Sequence, residues 1–175
     1  VYRNYAAQWG AGVYVGQNST ASIAVENCTF AQNYSADGNN GTIFFYSLGT
    51  SDSSWVRDCI FWDNYRQGRA SDGSGVAIYS DPGYGAPCGV TYSDIYRSSG
   101  TYSGVGNINS YPEFAGDTAA GDFSIEGFSP CVDAGDPSSD LDGDGTRTDM
   151  GAVYFDQVDA DTLLLSLPDV GSLNP

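Results

Sequence analysis

Between Asp140 and Asp149 the chain reads Asp140-Leu-Asp142-Gly143-Asp144-Gly145-Thr-Arg-Thr-Asp149, with carboxylates at alternate positions and glycine where a sharp turn is needed. A loop that wraps a hard cation has this composition, because Ca²⁺ takes several oxygen ligands and the backbone must bend to bring them around the ion. Clustered carboxylates without a cation or basic neighbours repel one another. Asp140, Asp142, Asp144 and Asp149 are therefore the expected metal ligands, and Ca²⁺ the expected cofactor. The alternative is an Asp-rich turn whose side chains accept hydrogen bonds from their own backbone. Three further acids, Asp122, Asp133 and Asp136, lie toward the same end of the chain. Two carboxylates flanking one bond would suit glycoside hydrolysis. Asp133 and Asp136 bracket Ala134-Gly135, however, and read better as turn residues that bind backbone amides or the same cation.

The rest of the composition narrows the chemistry. No His or Lys occurs, and 22 acidic residues face six Arg, for a formal net charge of −16. Without a basic patch, DNA, RNA and anionic lipid surfaces would be met by long-range repulsion, so nucleic-acid and membrane-surface functions are excluded. Known polysaccharide lyases use a Lys or Arg base beside Ca²⁺, and hydrolases of pectin combine several Asp with a His. Here His and Lys are missing and no Arg sits in a lyase-like motif, so no catalytic residue is expected.

Four cysteines, Cys28, Cys59, Cys88 and Cys131, are an even set in a chain that reads as secreted, which permits disulfides without requiring them. Their spacing lacks the close pairs of a zinc site. Trp9, Trp55, Trp62 and many Tyr offer flat apolar faces for sugars, although packing explains such rings equally well. Sequons begin at Asn18, Asn27, Asn33 and Asn40, two of them at positions the fold itself would use.

What must position these residues is an internal repeat. Val25-Glu-Asn-Cys28-Thr-Phe30-Ala-Gln-Asn33 superimposes on Val56-Arg-Asp-Cys59-Ile-Phe61-Trp-Asp-Asn64, apolar on apolar. A third copy starts at Val90, with Ser93 in place of Cys, and Val1-Tyr-Arg-Asn4-Tyr5 matches Phe61-Trp-Asp-Asn64-Tyr65. Second strands, at Gly12 to Val15, Gly41 to Phe45 and Gly75 to Tyr79, lie between the copies. A repeat of roughly thirty residues cannot cover its own apolar stripe, so copies must stack and share a core. Stacking predicts the columns Val25–Val56–Val90 and Phe30–Phe61–Ile95, an amide ladder of Asn4, Asn33 and Asn64, and Cys28 beside Cys59 at a spacing a disulfide tolerates. For Cys88 and Cys131, a bridge to the closing segment and two free thiols remain equal alternatives. Trp62, between inward Phe61 and Asn64, is expected to point outward. A β-sandwich is the competing architecture, but it gives no reason for residues to recur at one register.

The stretches NCTFAQN (27 to 33), DCIFWDN (58 to 64), VTYSDI (90 to 95), GNINSYPEF (106 to 114), GDFSI (121 to 125), SPCVDAGDP (129 to 137) and DLDGDGTRTDMGAVY (140 to 154) occur in order. In this the chain resembles right-handed parallel β-helix repeat proteins, and is most similar to the C-terminal portion of those carrying the bacterial choice-of-anchor Q region. The resemblance implies a segment that closes a solenoid, in proteins that are often secreted or surface-attached. The acidic loop is also similar to the front of an EF-hand loop, but no helical pattern flanks it and Gly151 takes the twelfth position. Phe155-Asp156 and the tail beyond depart from the family pattern.

The expected fold is thus all-β, a right-handed parallel β-helix (solenoid) of three to four coils over residues 1–155 with an Asp-rich closing loop, then an extended tail over 156–175. The expected function is that of a non-catalytic extracellular or cell-surface structural protein, an adhesion module or a filament subunit stabilised by calcium. The alternative is a carbohydrate-binding or carbohydrate-processing fragment. Expected partners are other copies, through an open N-terminal coil and the apolar Thr162 to Leu167 segment of the tail, or a polysaccharide. No nucleic acid and no membrane insertion are expected, since the apolar run at Leu163 to Leu165 is too short to span a bilayer.

Overall fold

A computed structural model describes residues 1–16, 23–36, 41–45, 54–67, 77–80 and 88–158. The apolar tail and the sequons at Asn18 and Asn40 lie outside the described residues. The strands are short and parallel, and four sheets of three strands each contain them. Strands β1 (Tyr5–Ala6), β5 (Tyr34–Ser35) and β9 (Tyr65–Arg66) form one sheet, and β2 (Val13–Val15), β6 (Ile43–Phe45) and β10 (Ile78–Ser80) a second. Strands β3 (Ala24–Glu26), β7 (Trp55–Arg57) and β11 (Gly89–Thr91) make the third, and β4 (Thr29–Ala31), β8 (Ile60–Trp62) and β12 (Asp94–Ile95) the fourth.

The register follows the repeat. Val25 pairs with Val56 and Val56 with Val90, while Phe30 pairs with Phe61 and Phe61 with Ile95. Because side chains alternate across a strand, these columns face one common interior together with Val15, Ile43, Phe45 and Ile78. The Phe30 and Phe61 rings stack at 4.8 Å with planes 6° apart, and both side chains are fully buried.

Corners recur with the same period. Asn27, Asp58 and Tyr92 stand at one corner with φ of 45°, 54° and 45°, and Arg3, Gln32 and Asp63 at another with φ of 53°, 55° and 51°. Asn and Asp adopt this left-handed conformation more readily than other residues with a side chain, because their short polar groups bond locally. Just past the second corner the expected amide ladder is present. Asn4 Nδ2 donates to Asn33 Oδ1 at 2.9 Å and Asn33 Nδ2 to Asn64 Oδ1 at 3.0 Å, and Asn64 Nδ2 ends the series on the Phe30 carbonyl at 2.9 Å. Asn33 is completely buried, so its sequon is closed to a glycan.

The expected solenoid class is corrected. Instead of a clear β-helix of three to four coils, the described residues form four separate small sheets, with no strand longer than three residues. Left-handed corners at Asn27, Gln32, Asp58, Asp63 and Tyr92 turn the chain away directly after β3, β4, β7, β8 and β11. Beyond Ile95 the described residues add no strand to any sheet, only isolated bridges such as Asp94 with Ile108 and Phe114 with Ile125. The architecture is all-β, four short parallel stacks of which three share one apolar interior, with a turn-rich C-terminal segment. No helix among the described residues is long and apolar enough to cross a membrane.

Truncating Phe61 to Ala removes one ring of a stacked, fully buried pair and should cost about 3 to 5 kcal/mol. Tyr65→Ala, at an exposed position of the adjoining strand, should cost far less. Denaturant unfolding of the two variants checks the contrast, and equal losses would contradict the assignment of the interior face.

Candidate functional site

The C-terminal segment is held against the repeat by residues on the outer side of the fourth sheet. Alternation turns Thr29, Ile60 and Asp94 away from the interior, yet all three are buried, because the segment lies over them. Ile60 packs with Ile125, Cys131 and Met150 in a second apolar cluster, with Trp62, Phe114 and Phe155 around it. Gly151, at φ 112°, passes so close that a Cβ would stand 2.8 Å from Ile60 Cδ1, and only glycine fits there. The next residue, Ala152, donates its amide to Thr29 Oγ1 at 3.0 Å.

Two buried carboxylates complete the attachment. Asp58 is fully buried at its left-handed corner. Its Oδ1 accepts the Asp136 amide and its Oδ2 the Ser139 hydroxyl at 2.7 Å, while its own carbonyl accepts the Gly151 amide at 2.9 Å. Arg57 beside it contacts Glu26 at 2.8 Å and Asp136 at 3.5 Å. Asp94 accepts the Ser110 amide at 3.1 Å and the Cys131 thiol at 3.4 Å. Burial pushes the Asp94 carboxyl up to about 6. Sequence reasoning missed both residues. A usable signal existed, since Asp94 stands where the other copies carry Thr29 and Ile60, and a lone carboxylate at such a position requires a partner.

The expected metal ligands are placed as follows. Asp142 accepts the Asp149 amide at 2.7 Å through Oδ2 and the Thr148 hydroxyl at 3.3 Å through Oδ1. Asp144 accepts the Thr146 amide and hydroxyl at 2.9 and 2.7 Å through Oδ1, and the Gln157 amide at 3.0 Å through Oδ2. Asp149, buried, accepts the Asp133 amide at 2.6 Å and the Phe155 amide at 2.8 Å. Asp140 is exposed and makes no hydrogen bond with the described residues. The structure thus brings Asp142, Asp149 and Asp133 into one network, keeps Asp144 beside it, and leaves Asp140 outside. Burial raises the Asp142 and Asp149 carboxyls above the usual range, while the Gln157 amide, with Thr146, lowers that of Asp144.

Among the described residues no group of three or more carboxylate or thiol side chains is disposed to hold a metal ion. The oxygens of Asp142, Asp144 and Asp149 are already engaged with chain donors, as in a capped turn. Asp133 Oδ1 is buried without a partner, the atom of this network that a cation or a water would satisfy. Asp136 and Asp122 also serve turns, accepting from Ser138 and Ser124 respectively.

All four cysteines are free thiols. Cys28 and Cys59 stand side by side as their register requires, and the hydrogen bond from Cys59 lowers the Cys28 thiol to about 7 while burial raises Cys59. Cys88 packs against the main interior and Cys131 lies in the second cluster, so the two belong to different apolar layers and form no bridge. No family model, no curated protein and no solved structure matches this chain.

Asp94 gives a pH dependence with a defined sign. Its native pKa, about 6, lies above the 3.8 of the free carboxyl, so the native state favours the protonated form. That stabilisation is complete below the unfolded value and is lost as pH rises through about 6. Asp94→Asn, which mimics the protonated acid, should be the more stable chain at pH ~8, by on the order of 3 kcal/mol. The two proteins should converge at pH ~4. Urea unfolding of both at the two pH values measures this, and a variant less stable than wild type at the higher pH would refute it.

Proposed function

We propose that the chain is a non-catalytic structural module of the extracellular space or cell surface, serving in adhesion or as a filament subunit. The observation that carries this reading is how the buried and half-buried acids are used. Asp58, Asp94, Asp142 and Asp149 accept hydrogen bonds that fasten one part of the chain to another. The resemblance of the motifs through residue 155 to surface-attached proteins carrying the choice-of-anchor Q region supports the same reading. Its acidic surface suits an environment rich in divalent cations and repels polyanions.

Calcium at Asp140, Asp142, Asp144 and Asp149 is the cofactor in this proposal; it would have to displace the amides that these oxygens now accept and draw Asp140 in, and Asp133 Oδ1 is the buried acceptor that motivates it. Self-association is the partner in this proposal. Strands β1, β2 and β3 are outer members of their sheets, and such edges present backbone groups to a further strand, whereas the β4 edge is already met by residues 1 to 3. Added Ca²⁺ should raise the melting temperature and a chelator should lower it. Binding to the native state alone contributes about 2.7 kcal/mol at a hundredfold excess over the dissociation constant. Melting that is indifferent to both removes the metal. Sedimentation and electron microscopy of the purified chain should show assemblies, and monomers at high concentration would leave adhesion without a filament.

A second reading, carbohydrate binding, is favoured by Trp9. The residue is 45% exposed and its ring stacks on Tyr14 at 5.3 Å with planes 19° apart, an exposed aromatic pair of the kind that sugars pack against. Saturable quenching of tryptophan fluorescence by a neutral oligosaccharide, lost in Trp9→Ala, would establish it.

A further inference from the structure

A pocket of about 50 Å³ opens where residues 111 to 123 fold over the outer side of β4 and β8. Its walls are Trp62, Tyr111, Phe114 and Phe123, with Asp63, Gln32 and Thr118 among the polar lining groups. The rings stand at steep angles to one another. Trp62 meets Tyr111 at 69°, Tyr111 meets Phe114 at 83°, and Phe114 meets Phe123 at 74°, with centroids 5.6, 6.3 and 5.4 Å apart. The rings thus meet one another edge to face, and all four contribute to the wall of one pocket.

The repeat alone does not build this pocket. Trp62 follows inward Phe61 on β8 and so points outward, and Asp63 comes next at a left-handed corner. Tyr111, Phe114 and Phe123 arrive from the turn-rich segment, where Phe114 and Ile125 form an antiparallel bridge.

We infer that this pocket binds a quaternary or fully methylated ammonium head group. The π faces of Trp, Tyr and Phe attract a cation through the ring quadrupole, most strongly when it is shielded from water. Asp63 adds a carboxylate that accepts no hydrogen bond from the described residues. Desolvation holds its pKa above the usual value, as expected for a carboxylate lacking a counter-charge. Among the described residues the ion pairs are all made by Arg57, so no guanidinium neutralises Asp63. Arg3, near the rim, is committed to Gln32 Oε1 and to the Ala119 carbonyl, both at 2.8 Å. The net charge of −16 raises the local concentration of cations around the whole molecule.

Size and donor inventory separate this ligand from its competitors. The volume is small beside the roughly 300 to 1,000 Å³ of sites that enclose whole small molecules, so it suits one head group rather than a sugar ring. A primary ammonium must place three N–H donors. Asp63 offers acceptors to only part of these, the Gln32 carbonyl already accepts from Arg3, and the aromatic wall suits a methylated cation that donates nothing.

Titration of the intact chain with choline, followed by calorimetry and by the nuclear magnetic resonance shift of the Trp62 indole, tests the assignment. The indole signal is assigned through Trp62→Phe. Choline should bind saturably, and its neutral isostere 3,3-dimethylbutan-1-ol and n-butylamine should each bind at least roughly tenfold more weakly. Asp63→Asn keeps a residue suited to the left-handed corner and should weaken choline by about tenfold with an unchanged circular dichroism spectrum. Tyr111→Leu, at an exposed wall, should weaken it as well. Equal binding of choline and the neutral isostere, no saturable binding of choline, or a preference for glucose would each overturn the proposal.

Discussion

The buried amide of Asn33 is the constraint from which the stacked arrangement follows. Its carbonyl accepts from both the backbone and side-chain nitrogens of Asn4, at 3.1 and 2.9 Å, and its amide nitrogen donates to Asn64 and to the Val1 carbonyl. An amide shut away from water must satisfy its donors and its acceptor, and in parallel stacking only an identical amide one level away can do so at every level. Any slip in register would break several of these bonds at once. The same register stacks Phe30 on Phe61 and sets Tyr5, Tyr34 and Tyr65 in one file.

Where the copies differ, the molecule acquires its individuality. Thr29, Ile60 and Asp94 share one column, as do Asn27, Asp58 and Tyr92 at the corner. A ladder of equal residues would leave this outer side uniform. Here each member meets a different part of the C-terminal segment: Thr29 meets Ala152, Asp58 meets Asp136 and Ser139, and Asp94 meets Ser110 and Cys131. Tyr92 lies 5.8 Å beneath the Arg147 guanidinium. The segment has little regular structure of its own, so these contacts and the small second cluster around Ile60 and Met150 hold it in place.

The acids therefore divide by surroundings rather than by residue type. Asp144 lies in a turn whose amides stabilise the charged form, while Asp94 is buried where the charge is disfavoured. Asp63 faces aromatic rings. One side chain thus caps a turn in the first place, links two layers in the second and offers a counter-charge in the third. A composition dominated by Asp is compatible with all three roles.

The repeat, its columns and its amide ladder were legible in the sequence, because stacking rewards the same residue at the same register and so writes the period into the chain. The acidic turn at 140 to 149 was legible as well, since local spacing of Asp and Gly determines a turn whether its carboxylates hold a cation or their own amides. The extent of the sheets was not. Corners at Asn27, Gln32, Asp58, Asp63 and Tyr92 limit the strands of the third and fourth sheets that precede them to three residues, and backbone conformation of that kind is only weakly encoded by residue type. Nor could the sequence show that Asp58 would hold Asp136, or that Trp62 would meet Tyr111. Those partners lie far apart along the chain, and only the folding of the C-terminal segment onto the outer side of the sheets brings them together, through packing and hydrogen bonds that leave no periodic trace.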